Sequence, residues 1–329
     1  MNNNKHFAVH SADGSAPVSA QTIQVPGGQT ERNHKIGIVL VIGATAIFAM
    51  QDAITKHLVA DYPITFIIMV RYWVFFAVGT VMAARADSGF KQTVKTKKPV
   101  IQIARGLILV FEIAMVGLAF KTMGLAEVIA LFQSYPLFVT ALAAIFLGEK
   151  VGWRRWLALA VGFGGILVIL RPGSGVMEFG AVYTILGAIA YALYQILTRV
   201  SGTSDSAITS FFYVGAVGAV LMTLGLPLFW ISMAPVDLLW LGLLCIMAMT
   251  AHFFLIKALT LAPATLLQPF NYLQLVWSII VGWIVFRDMP DIWTFVGGFI
   301  VVGSGLFVFY REQKRAAERK KQFLKENTV

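Results

Sequence analysis

Residues 36–56 read IGIVLVIGATAIFAMQDAITK. A helix rises about 1.5 Å per residue, so a stretch of this length covers the roughly 30 Å hydrocarbon core of a bilayer. Nine more apolar stretches follow almost without pause, at 62–84, 99–120, 126–147, 152–170, 178–199, 206–231, 235–257, 263–286 and 290–310. The chain therefore reads as an all-α membrane protein with ten transmembrane helices. Length and a high content of Gly, Ala and Leu favour helices over buried strands. Composition agrees: 58% of residues are hydrophobic, 13% are charged, and the mean hydropathy is +0.77. Such a chain has no reserve of residues for a soluble catalytic domain.

Residues 1–35 are polar, rich in Asn, Ser, Gly and Gln, and lack the apolar core of a signal peptide. They are expected to form a disordered tail, with the first span doing the targeting; residues 311–329 form a second, basic tail. Cys245 is the only cysteine and falls inside a span, which excludes an intrachain disulfide and CxxC metal or redox chemistry. Neither a metal nor a cofactor is expected. With an even number of spans, the termini and alternate loops share one side, which carries 20 of the 26 Lys and Arg; the other side carries 4. Basic residues accumulate in the cytoplasm, so both termini are expected there, in a multi-pass protein of a bacterial inner membrane. The clusters at 91–98 and 311–325 read as anchors against anionic lipid rather than as a nucleic-acid surface.

The chain also repeats itself. Gly43-Ala44, Ala46, Gln51 and Thr55-Lys56 recur as Gly187-Ala188, Ala190, Gln195 and Thr198-Arg199. In the same order, Lys121 with Leu125-Ala126 matches Lys257 with Leu261-Ala262, Glu149 matches Asp288, Trp153 matches Trp293, and Gly165 and Arg171 match Gly305 and Arg311. Each half, 36–171 and 178–310, holds five spans. An odd number turns the second half upside down, giving two inverted five-helix repeats, the architecture of transporters that work by alternating access around a midplane site.

The residues that carry this repeat also carry a resemblance. Arg105-Gly106-Leu107, Pro136, Leu147-Gly148-Glu149-Lys150, Gly162 to Gly165 and Arg171-Pro172 resemble the drug/metabolite transporter superfamily and, more narrowly, its paired EamA-type domains. The second copy is similar in Gln268-Pro269, the run from Asn271 to Trp277, Gly282, Asp288, Pro290 and Gly303 to Gly305. The clearest departure is Arg287-Asp288, where the family commonly has Gly-Glu; it bears on the end of span nine. The most similar subgroups are bacterial riboflavin and S-adenosylmethionine uptake carriers, the latter through Asp52, Arg71, Arg105-Gly106-Leu107 and Tyr272-Leu273.

Ionisable groups near the midplane are costly and therefore candidates for function. Arg71 in span two and Glu112 in span three lie there, and two readings stand: a neutralising ion pair, or a site for substrate or a coupling proton. Asp52 is either an interfacial partner of Lys56, four residues on, or a guard of the outer mouth. His252 is either a hydrogen-bonded interior histidine or a proton relay. Asn271, Gln274 and Ser278 share one face of span nine, weakened one turn earlier by Pro269. Span six offers Tyr191, Tyr194, Gln195 and Thr198, and span four offers Gln133 before Pro136. With Trp277 and Glu112, these side chains are expected to line a substrate cavity, the alternative being interhelical hydrogen bonding without one. The glycines at 162, 164, 165, 297, 298, 303 and 305 read as packing positions rather than a phosphate loop.

No GxxxxGK[ST] sequence is present, so the expected protein is a secondary carrier of a small metabolite, not an enzyme. Its aromatic faces and amides suit a flat heterocycle with polar edges, and an Arg71–Glu112 pair would leave no acidic site for a cation. Riboflavin uptake accordingly ranks first, ahead of S-adenosylmethionine uptake and of amino-acid or drug export. An integral membrane enzyme or sensor is the reading from a different class. An enzyme needs clustered His and carboxylates, and of the five His residues three (His6, His10 and His34) precede the first span.

Overall fold

A computed structural model describes residues 27–146, 152–171, 179–202, 204–225, 230–262 and 264–326. Residues 1–26, the segment Leu147-Gly148-Glu149-Lys150, Pro172 and residues 327–329 lie outside this set. Among the described residues there are helices and no strands. The helices are α1 (Gly27–Asp61), α2 (Ile64–Ala84), the short α3 (Phe90–Thr93), α4 (Pro99–Ala119), α5 (Leu125–Phe132), α6 (Tyr135–Phe146), α7 (Trp153–Leu170), α8 (Phe179–Ser201) and α9 (Ala207–Leu224). After them come α10 (Pro235–Leu261), α11 (Ala264–Asn271), α12 (Leu273–Val281) and α13 (Ile292–Glu326). Among the described residues nine segments are long and apolar enough to cross a bilayer, and the shorter apolar stretch Trp156–Leu170 of α7 stands where the tenth span is expected. α1 begins at Gly27, so residues 27–35 are helical rather than part of a disordered tail. At the other end α13 carries the basic segment as helix through Glu326.

Proline and small polar residues set the helix ends. Pro99 and Pro235 open α4 and α10, where an absent N–H costs nothing, and the Ser206 side chain accepts the Thr209 amide at 3.0 Å to cap α9. Two spans are interrupted inside the membrane. Span four breaks between α5 and α6 at Gln133-Ser134, and span nine breaks between α11 and α12 at Tyr272, with Pro269 in the turn before. Span nine then ends in a π-helical turn, Gly282–Phe286, closed by Arg287 in the left-handed region at φ 55°. That backbone conformation favours glycine, which accounts for Gly being the residue expected there from the resemblance.

Packing follows the two-fold inversion. α1 lies along α10 as α8 lies along α4; α1 meets both segments of span nine as α8 meets both segments of span four; α2 touches α10 as α9 touches α4. α2–α9 and α7–α13 pair with their own counterparts. The α7–α13 crossing brings backbones together: a Cβ on Gly297 would stand 2.6 Å from the Gly165 carbonyl oxygen, and one on Gly165 would stand 2.9 Å from that of Gly297. Large apolar side chains such as Val100, Leu239 and Phe299 remain exposed and form the lipid-facing surface.

Overpacking a tight contact costs about 1 to 3 kcal/mol. Gly297→Leu is expected to lower the amount of folded protein recovered from membranes, whereas Gly164→Leu, with no atom within 4 Å of its added Cβ, should leave it unchanged. Size-exclusion profiles in detergent read both outcomes.

Candidate functional site

The two repeats enclose a cavity of about 170 Å³ between α1, α2, α4 and both interrupted spans, with α8 and α10 completing the wall. Asp52 lies nine residues from the end of α1, Arg71 seven from the start of α2, and Glu112 seven from the end of α4. All three thus sit about 10 to 14 Å below the membrane face opposite the termini, here called the far side. Gln51, Tyr191, Gln195, His252, Asn271 and Gln274 line the same space.

Asp52 points inward. Its Oδ1 accepts from Gln51 Nε2 at 3.2 Å and its Oδ2 from Gln274 Nε2 at 3.0 Å, the second bond joining the first repeat to the second. The Asp52–Lys56 pair expected from their spacing does not form. Lys56 instead donates to the Met123 carbonyl at 2.5 Å and approaches Asp288 Oδ2 at 4.0 Å. Arg71 and Glu112 are both buried and line the cavity together, yet no contact ion pair joins them among the described residues. Arg71 Nε has no hydrogen-bond partner, and the guanidinium lies 5.8 Å from the centre of the Phe75 ring. In place of the expected neutralising pair, the guanidinium and the carboxyl group stand apart on the cavity wall.

Aromatic rings supply two walls. Phe132, Tyr135 and Tyr191 cluster with centroids 4.9 to 5.6 Å apart. His252 stands edge-on to Phe48 and Phe75 at 5.2 and 5.6 Å, with its Nδ1 2.8 Å from the Ala248 carbonyl oxygen. Three of the residues expected in the lining lie elsewhere. Gln133 is buried and donates to the Asn271 carbonyl at 2.9 Å, bonding a backbone group freed where span nine breaks. Trp277 has a buried Nε1 without a partner, outside the cavity. Tyr194 stacks on Tyr191 at 6.0 Å but lies outside the lining, under the Arg105 guanidinium at 5.2 Å.

A family model for the EamA-like transporter family matches residues 35–171 and 178–310. The chain belongs to that family. Among curated relatives, the S-adenosylmethionine uptake transporter of Rickettsia conorii is 34% identical over 70% of this chain and 78% of its own. The riboflavin transporter of Vibrio cholerae is 27% identical over 87% of this chain and 97% of its own. One solved crystal structure shares the fold with a TM-score of 0.58 at 17% identity, covering 87% of this chain and 99% of its own.

On either side of the cavity this EamA protein carries mirrored polar clusters that sequence reading missed. On the far side Tyr62 Oη donates to Asp237 Oδ2 at 2.7 Å, linking the turn after α1 to the first turn of α10. On the terminal side Gln102 Nε2, in the first turn of α4, donates at 2.8 Å to Asp205 Oδ2 in the turn after α8. Thr96 Oγ1 and the Lys97 amide donate to the same carboxylate. Burial works against ionisation of Asp205, but the hydrogen bonds from Thr96, Gln102, Lys97 and Ser204 outweigh it and hold its carboxyl below the usual value. Arg105, the second intramembrane arginine, extends the cluster: its Nη1 donates to Gln102 Oε1 at 2.5 Å and its Nε to Thr198 Oγ1 at 2.9 Å. The signal that could have found it was Arg105 itself, a charge inside span three.

Gln274→Leu removes the donor to Asp52 and leaves a buried acceptor unsatisfied, at a cost of about 1 to 3 kcal/mol. Transport is expected to fall roughly tenfold or more, with membrane insertion preserved. Val276 is 48% exposed, away from the cavity, so Val276→Leu should transport as the parent does. Initial uptake rates normalised to membrane content make the comparison.

Proposed function

We propose that this EamA protein is a secondary carrier that takes up a small metabolite bearing positive charge, S-adenosylmethionine in the first instance. The observation that supports the reading is the charge set of the cavity: two carboxyl groups, Asp52 and Glu112, against one guanidinium, Arg71, with no contact ion pair between them. Two acidic groups beside one guanidinium give the site a partner to spare for a positively charged ligand, such as a sulfonium amino acid. A cation in a low-dielectric site is also attracted to ring faces, which the Phe132, Tyr135 and Tyr191 wall offers, and the same wall suits stacking of an adenine. This reverses the order expected from the sequence, which rested on Glu112 being neutralised by direct contact with Arg71.

Riboflavin uptake is the second reading. It is favoured by the same aromatic wall, which suits a flat three-ring heterocycle, and by the length over which the Vibrio cholerae relative aligns. In either case the roles of Asp52, Arg71, Glu112, Tyr191, Gln195, His252, Asn271 and Gln274 are those of a binding and gating surface rather than a catalytic one. The mirrored clusters at Asp237 and Asp205 act as alternating closures of the two faces. The 20 to 4 distribution of basic residues supports a terminal face in the cytoplasm of a bacterial inner membrane.

Proteoliposomes containing the full chain are to be given labelled S-adenosylmethionine and, in parallel, labelled riboflavin. Saturable uptake of the first, unaffected by a tenfold excess of unlabelled riboflavin, is the expected result. Saturable uptake of riboflavin alone overturns the cation reading.

A further inference from the structure

The two intramembrane arginines are treated very differently by the fold, and the difference marks a subsite. Arg105 is 2% exposed and its fork is occupied: Gln102, Thr198 and Tyr194 take its N–H groups, and the Tyr194 ring covers its face. Arg71 is equally buried, at 6% exposure, but its Nε has no acceptor and it faces the cavity. The acceptors in the cavity are committed or stand apart. Both oxygens of Asp52 take amide donors from Gln51 and Gln274, and Glu112 makes no contact ion pair with it among the described residues.

An unpartnered guanidinium N–H in a water-poor site is expensive, and its planar fork is shaped to take two oxygens of one carboxylate. We infer that Arg71 is the carboxylate-binding subsite of the cavity, so that the transported cation also carries a carboxylate, as an α-amino acid does. The inference rests on the cation reading above and narrows it. The ligand's positive group lies toward Asp52 and Glu112 while its carboxylate closes the open side of Arg71, which selects zwitterionic cations over simple amines and sulfonium ions. Riboflavin has no carboxylate and gains nothing from this position.

The test uses a matched pair of ligands, S-adenosylmethionine and its decarboxylated form, which differ by that one group. Each is titrated onto the purified full-length protein, with binding read by thermal stabilisation and by competition against labelled S-adenosylmethionine. A charge-assisted hydrogen bond is worth roughly ten- to a hundredfold in affinity, so the parent should favour the carboxylate-bearing ligand by at least about tenfold. Arg71→Gln should bring the two ligands to within about threefold of each other. Arg71→Lys keeps the charge while losing the fork, and should retain part of the preference; it carries the test if Arg71→Gln does not accumulate. Equal binding of both ligands to the parent, or a preference that survives in Arg71→Gln, overturns the subsite and leaves the cation reading intact. Binding of neither ligand overturns both.

Discussion

Two helices are interrupted inside the hydrocarbon layer, and every backbone group so released must find a partner within the protein. The break in span nine is secured by Gln133, whose amide reaches from the break in span four to the carbonyl of Asn271. This one hydrogen bond joins the two irregular segments across the repeat interface. Non-helical backbone is tolerated at this depth only beside a cavity or buried in protein, and here it is both. Position and symmetry of the site follow from it: the cavity lies where the interrupted spans meet α1, α4, α8 and α10, each pair of which has its inverted counterpart.

Polar side chains in that space divide into those that hold the protein together and those left facing inward. Gln133 and Arg105 are spent on structure, and Gln274 steadies Asp52 from the opposite repeat. Arg71 and Glu112 are not so employed, although both are buried. Leaving ionisable groups without a direct partner in a medium of low dielectric is costly. Such an arrangement is stable when the surrounding helices fix it, and it becomes favourable when a ligand of complementary charge enters. The same inversion places Tyr62 with Asp237 on one face and Gln102 with Asp205 on the other, so that each face carries an equivalent contact made from different residues.

The spans and the repeat were legible in the sequence because both depend on local rules. An apolar run of about twenty residues is too long for a buried strand, and a recurring set such as Gly43-Ala44 and Gly187-Ala188 is written in the residues themselves. Ends were less legible: α1 begins at Gly27 since a membrane helix runs on into polar sequence wherever its own backbone bonds carry it. The cavity was legible in part. Asn271 and Gln274, which spacing puts on one helical face, both line it, although the break at Tyr272 divides them between α11 and α12. Asp52 was read against Lys56 from spacing within one helix, yet its donor Gln274 is 222 positions away, a relation that no local pattern contains. Tyr194 stands one turn from Tyr191 and stacks on it, yet it lies under Arg105 of α4 rather than in the lining. Contacts between helices decide these assignments, and a single sequence does not carry them.

If the transported molecule rests in the cavity between the repeats, it shields the cavity lining and leaves the outer surface open. Thr45 lines it and Asp61 ends α1 on the exposed far side. In a Cys245→Ser background, Thr45→Cys and Asp61→Cys can each be labelled with a small thiol reagent, with and without S-adenosylmethionine at a concentration that saturates uptake. Slower labelling at position 45 and an unchanged rate at position 61 is the predicted result. Unchanged labelling at position 45 while uptake is saturated would contradict it.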